Sequence, residues 1–347
     1  MPPTLPPDVA RRLLARAQRL AGERGSSVLD TVRAVAGLQA QDAPAAALGI
    51  RARRAGSTAA EVDHARFEER SIARTWAMRG TLHLIPAEDV RWMIALLGPI
   101  GIRKSQRRIA ELGVGLPHAI SAACTALADG PLTRREVADA VRASGVTLPD
   151  DPQVPAWLVG VAALEGHIIE AAPAGHFALT DDWLGTPSGP LPEREAAIAE
   201  LARRHARAHP PAGPEDFAAW SGLGLRDSRR AYERIAGDFE EVEVLGRSAW
   251  VPPGLEPAPS HVRLLPAFDG ILLGHRDREL IVRPEHARDV MPGGGILRPT
   301  LLVDGRVEGT WKLDRGRPRV NAFGAAPDLD DEVADVDRFR AGHTAAA

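Results

Sequence analysis

The amino-acid sequence predicts an α+β fold in which groups of helices are each followed by a β-hairpin, with a β-rich segment at the C-terminal end. Three observations lead to this prediction. Apolar residues recur at helical spacing in the first seventy residues, and the same order of helices and hairpin returns twice downstream. After residue 256 the pattern changes to the two-residue alternation of strands. A chain of 347 residues is long enough for several domains or an assembly of small units.

The first group of elements occupies residues 1–115. Three helices are predicted there: Val9–Leu20, Val28–Leu38 and a third that begins at Asp42, whose side chain and the following Pro44 suit a helix start. A β-hairpin follows, with alternating strands at 72–78 and 81–85 around Arg79-Gly80. Helices followed by such a hairpin have the order of a winged helix, so we predict a first winged-helix unit.

The same order returns in residues 116–188 and again in residues 189–256. In the second group, Thr133 and Glu136 form a capping box before an amphipathic helix. Its predicted elements are the helices Val137–Ala143 and Pro155–Leu164 and the strands His167–Glu170 and His176–Leu179. Those of the third group are the helices Glu215–Trp220 and Asp227–Ile235 and the strands Glu241–Leu245 and Ser248–Val251. The linkers Gly185–Pro192 and Pro252–Pro259 follow these two groups.

Residues 257–347 are predicted to be a β-rich domain. Its strands are expected at Val262–Leu265, Leu280–Val282, Arg298–Val303, Arg306–Leu313 and Arg319–Phe323. Asp304-Gly305 is a strong signal for a hairpin turn. We therefore predict tandem winged-helix units followed by a small C-terminal β-barrel or twisted sheet, closed by a helix near Asp330–Phe339.

Composition restricts the class of protein. The hydrophobic fraction of 44% and charged fraction of 26% are typical of a water-soluble globular protein, and the apolar runs are too short to span a membrane. The N-terminus has no continuous apolar segment for export. Cys124 is the only cysteine, which excludes an intramolecular disulfide and a thiolate metal cluster. These features predict a cytoplasmic protein.

Positive charge is concentrated in the N-terminal third. Residues 1–110 contain 18 Lys/Arg and 10 Asp/Glu, a net charge of +8, whereas the remaining residues contain 25 and 36, a net charge of −11. Nearly all cations are arginine, which binds phosphates in a bidentate manner. This asymmetry favours a polyanionic partner, although a chance distribution of solvated arginines would look the same.

Common enzyme motifs are absent from the sequence. It contains no phosphate-binding glycine-lysine loop, no dinucleotide-binding glycine pattern, no HExxH pair, no nucleophile elbow and no CxxC. The 11 histidines are scattered and show no ligand spacing. We therefore predict neither a metal nor a cofactor.

One short segment, Gln39-Ala40-Gln41, lies where one predicted helix ends and the next begins. Side chains two residues apart on extended backbone project to the same side, so the two carboxamides can hold one water between them. The alternative is an ordinary solvated helix terminus. Asp42 is better suited to cap the next helix than to act as a base.

Four segments together resemble the AlkZ-type winged-helix DNA glycosylases, in order and spacing, over roughly residues 10–325. They are Gln39-Ala40-Gln41-Asp42, the hairpin 75–83, the pair of segments Leu265-Pro-Ala-Phe-Asp269 and 272–278, and the segment 299–311. The family motif is a glutamine, an apolar residue, then glutamine or aspartate. Gln39-Ala40-Gln41 is similar to its double-glutamine form, with a middle residue smaller than expected.

The resemblance implies a monofunctional glycosylase that excises N7-alkylated purines from double-stranded DNA and, in the double-glutamine form, unhooks interstrand crosslinks. It implies that Gln39 and Gln41 position the attacking water, which makes them the predicted catalytic residues. DNA contacts are predicted at Arg79, His83, Asp304, Gly305, Arg306 and Lys312. Trp76 and Trp311 are interpreted as packing residues.

Two other classes of function remain open on the sequence. One is a noncatalytic winged-helix DNA-binding protein, either a transcription regulator or a damage binder. The other is a protein-interaction scaffold, favoured only by the acidic C-terminal part. Regulators usually dimerise to bind paired half-sites, whereas several units in one chain suit a monomer that surrounds a lesion. The leading hypothesis is therefore a monomeric, nucleoid-associated repair enzyme.

Overall fold

The computed structural model describes residues 2–112, 115–187 and 189–344. The chain divides into two compact units. Unit 1 contains Met1–Ala65 and Ile198–Ala347, and unit 2 contains Arg66–Ala197. The domain boundaries predicted after residues 115, 188 and 256 stay predictions, and Ser188 and the last three residues lie outside the described residues.

Groups of helices are interspersed with short strands along the chain. The helices are α1 (Pro7–Ala17), α2 (Val28–Ala34), α3 (Ala43–Arg53), α4 (Ala59–Phe67), α5 (Val90–Leu112), α6 (Leu116–Leu127), α7 (Arg134–Ala143), α8 (Val154–Leu164), α9 (Thr180–Leu184), α10 (Arg194–Ala208), α11 (Pro214–Ser221), α12 (Leu225–Ile235), α13 (Ala287–Val290) and α14 (Asp330–Thr344). The strands are β1 (Leu38–Gln39), β2 (Ile72–Trp76), β3 (Leu82–Pro86), β4 (Leu132–Thr133), β5 (Ile168–Ala171), β6 (His176–Leu179), β7 (Glu240–Val244), β8 (Arg247–Val251), β9 (Val262–Leu265), β10 (Thr300–Val303), β11 (Arg306–Asp314) and β12 (Arg317–Ala322).

In unit 1 the C-terminal strands form a four-stranded antiparallel sheet in the order β12-β11-β10-β9. The sheet is open, so the predicted closed barrel is wrong and the sheet alternative is confirmed. Because successive side chains alternate between faces, Leu265 and Leu302 pack with Leu14 of α1, whereas Leu264 and Leu301 pack with Val336 of α14. The sheet is therefore covered by apolar side chains on both faces.

The prediction of a strand at Leu280–Val282 is wrong. The backbone amides of Ile281 and Val282 both donate to the Arg278 carbonyl, at 3.0 and 2.7 Å, which makes this segment a local turn. Both apolar side chains are nonetheless buried in the core that contains Leu14 and Leu265. A short apolar run therefore indicated burial correctly but not the backbone conformation.

Unit 2 contains the hairpin β2–β3 and the complete second group of helices and hairpin. The hairpin β2–β3 pairs Ile72 with Pro86 and Trp76 with Leu82, which confirms the predicted hairpin around Arg79-Gly80. Helices α6, α7 and α8 surround Phe177 of the sheet β4-β6-β5. Helices α5 and α8 approach closely because Gly98 has no side chain: a Cβ there would lie 2.0 Å from the Leu164 carbonyl oxygen. Any side chain at this position would separate the two helices.

Helix caps follow their sequence signals. The Asp42 carboxylate accepts a hydrogen bond from the Ala45 amide at 3.0 Å, as predicted for a cap of α3. Thr133 and Glu136 form the predicted capping box of α7, with both hydrogen bonds present. The second predicted helix ends earlier than expected, at Ala34.

Candidate functional site

The segment that carries the two glutamines is extended backbone between α2 and α3. Helix α2 ends because Ala36 and Gly37 adopt positive φ angles of 59° and 93°, which a right-handed helix cannot continue through. Leu38 and Gln39 then form the short strand β1. The chain bends at Gln41 before α3 begins, so the motif lies at a corner and not within a helix.

Burial alternates along this segment. Leu38 and Ala40 are 2% and 0% exposed, whereas Gln39 is half-buried and Gln41 is exposed. Alternate side chains of extended backbone point to the same side, and this alternation of burial agrees with the sequence expectation that the two amides face one side. The methyl group of Ala40 fills the buried position between them.

Helix α3, which follows the motif, is anchored by a buried ion pair. The Arg53 guanidinium donates to both carboxylate oxygens of Asp269, each at 2.7 Å, and both side chains are fully buried. Arg53 also donates to the Gln18 side-chain oxygen at 2.9 Å and to the Gly49 carbonyl at 3.1 Å. Such a bidentate pair has strict geometry, so it restricts the position of α3 relative to the segment that carries Asp269.

Gly49 connects the ion pair to the strand that carries Gln39. A Cβ at Gly49 would lie 3.6 Å from the Leu38 side chain, and 3.8 Å from both the Arg53 guanidinium and the Asp269 carboxylate. Leu38, which precedes Gln39, and the Arg53–Asp269 pair therefore both lie next to Gly49. A shift of the Arg53–Asp269 pair would therefore disturb the surroundings of Gly49, which include the residue before Gln39.

A second buried arginine anchors the C-terminal helix. Arg51 donates to Glu332 and Asp335 of α14, at 3.0 and 3.1 Å, and to the Leu264 carbonyl of β9. Its side chain is fully buried. Arg51 and Arg53 therefore bind carboxylates from two different segments. The positive charge of both residues is compensated inside unit 1.

His83, one of the predicted DNA contacts, lies on β3 of unit 2. Its side chain is buried, with the residue 2% exposed, and its Nδ1 donates to the Thr81 carbonyl oxygen at 2.9 Å. Burial, with a smaller contribution from the Arg79 charge, lowers the pKa of His83 to about 3. The imidazole is therefore neutral near pH 7, and the DNA contact predicted at His83 stays a prediction that does not depend on charge.

The buried His83 predicts acid sensitivity. Its pKa is about 6.5 in the unfolded chain and about 3 in the fold, so between these values the unfolded state binds a proton that the folded state does not. The free energy of unfolding should fall by up to about 1.4 kcal/mol per pH unit as the pH decreases from 6.5 towards 3. In urea denaturation across this range, the free energy of unfolding of His83→Gln should depend less steeply on pH than that of wild type. His118→Gln, at an exposed position on α6, is the matched control, and an equal slope in His83→Gln and wild type would contradict the assignment.

Arg79 occupies the turn of the hairpin β2–β3. Its φ of 59° is in the left-handed region and is followed by Gly80 at 74°, the conformation of a tight two-residue hairpin turn. Its side chain is half-buried. A Cβ on Gly80 would lie 3.3 Å from the Gly101 backbone, so this turn packs on α5.

The predicted turn Asp304-Gly305 forms, with φ angles of 49° and 78°, but it is packed and does not protrude. Gly305 is buried, and a Cβ there would lie 2.5 Å from the Arg11 carbonyl oxygen of α1. The Asp304 carboxylate accepts from the His261 amide at 2.8 Å. The DNA contacts predicted at Asp304 and Gly305 stay predictions. Arg306, the next residue, is half-buried.

The exposed hairpin of this sheet is the next one, β11–β12. Lys312, which the sequence analysis selected, is exposed on β11. The turn at Arg315-Gly316 has φ angles of 49° and 85°, and exposed cations surround it: Lys312, Arg315, Arg317 and Arg319. This turn was not predicted as a DNA contact, although Asp314-Arg315-Gly316 between two alternating strands is a signal for a hairpin turn.

The two tryptophans selected from the sequence are packing residues, as predicted. The Trp311 indole is 6% exposed and donates to the Leu265 carbonyl at 2.7 Å. Trp76 packs against Phe177 with ring centroids 6.5 Å apart. Within the described residues, no three His, Cys, Asp or Glu side chains are placed to hold a metal ion, and no helix is both long and apolar enough to cross a membrane.

Comparison with known proteins identifies related sequences and folds. Residues 32–339 match the family described as DNA glycosylase AlkZ-like. A curated relative, the interstrand DNA cross-link repair glycosylase of Streptomyces sahachiroi, is 27% identical over 306 residues, which are 83% of this chain and 82% of the relative. The solved structure of the Streptomyces sahachiroi DNA glycosylase AlkZ superposes with a TM-score of 0.83 at 24% identity and covers 97% of each chain.

Proposed function

The chain belongs to the AlkZ-like family of DNA glycosylases, and from this premise we propose that it hydrolyses the N-glycosidic bond of N7-alkylated purines in duplex DNA. The proposal includes crosslinks that join the two strands through such purines, since the curated relative is named as a cross-link repair glycosylase. The observation that supports the proposed mechanism is the burial pattern at the corner between α2 and α3, where Gln39 and Gln41 are more exposed than the buried Leu38 and Ala40.

The chemistry requires little from the protein at the leaving group. An N7-alkylated purine is already cationic, so it departs without a general acid. The protein must instead position a water for attack at C1′ and stabilise the positive charge of the developing oxocarbenium ion. A carboxamide both accepts and donates hydrogen bonds, so Gln39 and Gln41 can orient one water between them although neither is a strong base.

DNA contacts are proposed at cations that lie on the surface. Lys312 and the neighbouring arginines of the β11–β12 turn are exposed and can contact phosphates or enter a minor groove. Arg79 and Arg306 are half-buried, and we propose that each contacts the DNA sugar-phosphate backbone that lies beside its hairpin. We propose that Asp304 and Gly305 also hold the β10–β11 hairpin in place, Gly305 against α1 and Asp304 against His261, the residue before β9.

We further propose that the helix-and-hairpin groups are winged-helix units. Two groups of elements support this interpretation: α6-β4-α7-α8 followed by β5–β6, and α11-α12 followed by β7–β8. Each places two or three helices before a hairpin, which is the order of a winged helix. These units would then form the scaffold that presents Gln39, Gln41 and the surface cations to DNA.

The proposed function is tested by incubating the purified protein with a duplex that contains one N7-methylguanine. Release of the methylated base and appearance of an alkali-labile abasic site are expected, and a duplex joined by an N7 crosslink should be unhooked. An undamaged duplex of the same sequence is the control. If the protein binds these duplexes and releases no base from either lesion, the noncatalytic damage binder becomes the correct interpretation.

A further inference from the structure

Helices α11 and α12 of unit 1 are joined as a helix-turn-helix. Three residues, Gly222–Gly224, connect them, and Gly222 has a left-handed φ of 84° that ends α11. Helix α12 buries one face, formed by Ser228, Ala231, Tyr232 and Ile235. The spacing of these residues leaves the opposite face of α12 towards solvent.

The exposed face of α12 is rich in arginine. Arg226, Arg229, Arg230 and Arg234 are exposed, with Glu233 among them. Arg229 forms an ion pair with Glu215 of α11 at 2.9 Å. Within the described residues, Arg226 and Arg230 form no ion pair. Arg226 also lies in the first turn of α12, where the helix dipole disfavours a cation by about 0.3–1 kcal/mol.

The corresponding helix of unit 2 has the opposite character. Helix α8 also precedes a hairpin, β5–β6, but none of its 11 residues is charged and most are buried. A buried apolar helix cannot contact a polyanion. Of these two helices before a hairpin, therefore, only α12 presents a surface suited to DNA.

We propose that α12 binds the phosphates of duplex DNA through Arg226 and Arg230, as a contact surface additional to the glutamine segment. The proposal rests on the proposed function in that the partner is DNA. The two side chains are one helical turn apart on one face. The helix contains no Asn or Gln with which to recognise adenine, and we assign its arginines to phosphate contacts, which are independent of sequence, with guanine recognition as the alternative outcome of the test. A repair enzyme that must find lesions in any sequence requires such contacts.

The test measures binding to an undamaged duplex at several salt concentrations by fluorescence anisotropy. The variant Arg226→Gln/Arg230→Gln removes two charges, and Arg207→Gln/Arg288→Gln removes two charges from exposed positions on α10 and α13. The slope of log K against log salt should become shallower by about 1.8 in the first variant, at 0.9 per lost phosphate contact, and remain at the wild-type value in the second. Arg226→Lys/Arg230→Lys should keep the wild-type slope, because a phosphate contact needs only the charge.

The outcomes separate this proposal from the catalytic one. At saturating enzyme, the Arg226→Gln/Arg230→Gln variant should release N7-methylguanine within about twofold of the wild-type rate, and its Tm should be unchanged. An unaltered salt slope in that variant would overturn the proposal. An equal decrease of the salt slope in Arg226→Gln/Arg230→Gln and in Arg207→Gln/Arg288→Gln would overturn it as well. Failure of the lysine variant to keep the slope would overturn phosphate contact in favour of base recognition. Because the duplex is undamaged, the binding result stands even if no base is ever released.

Discussion

The Gln39→Ala/Gln41→Ala protein is expected to release N7-methylguanine at least about 100-fold more slowly than wild type, and to bind the same duplex with unchanged affinity. The magnitude is that of removing preorganised hydrogen-bonding groups from a transition state. A water held by neither amide must be recruited from solvent in a reactive orientation, which raises the barrier to attack at C1′. Single-turnover base release and equilibrium binding, measured on one duplex, separate these two effects.

Single variants and a matched control sharpen this prediction. If Gln39 and Gln41 hold the same water, each single alanine variant should lose nearly as much activity as the double variant, because groups that act together are not additive. Gln106→Ala, at an exposed position on α5, should keep the wild-type rate. A double variant that releases base at the wild-type rate would remove both glutamines from the mechanism.

The Asp269→Ala variant is expected to lose about 3–5 kcal/mol of the free energy of unfolding. The substitution leaves the fully buried Arg53 charge without its carboxylate, and an uncompensated buried charge is costly. Urea denaturation at neutral pH measures the loss. Asp238→Ala, which breaks the more exposed pair with Arg203, is the control and should cost about 1 kcal/mol or less.

A double substitution distinguishes the cost of a stranded charge from the value of the pair itself. Arg53→Met/Asp269→Leu removes both charges and retains volume, so it should be less destabilised than Asp269→Ala alone. It still leaves the Gln18 side-chain oxygen without its Arg53 donor, which costs about 1–3 kcal/mol. If the double variant were less stable than Asp269→Ala, the stranded charge would not be the cause.

Much of the local structure follows from signals that lie within a few residues. Asp42, and Thr133 with Glu136, begin helices through contacts that span only three positions. Asp304-Gly305 turns the chain where the sequence predicts, because both residues tolerate positive φ. The corner at Gln39 was predicted for the same reason, since a helix start immediately downstream requires extended backbone before its cap.

The candidate DNA contacts could not be selected in the same way. The sequence favoured the hairpin with Gly305 first and the hairpin with His83 second, and Lys312 was a further predicted contact on the strand after Gly305. Exposure separates them: His83 is buried, Gly305 packs on the Arg11 backbone and Lys312 faces solvent. Burial depends on which distant segments cover a residue, and no local pattern contains that information.

The sequence by itself determined the helix starts, the hairpin turns, the extended glutamine corner and the resemblance to the glycosylase family, because each is carried by neighbouring residues or by their order along the chain. Only the tertiary structure decided which of the many arginines serve the interior and which face solvent. Arg53 meets Asp269 across 216 positions, while Arg226 and Arg230 meet no acidic partner among the described residues. The two kinds of arginine have the same side chain, and only the three-dimensional packing around each one decides whether its charge stabilises the fold or remains available to a phosphate.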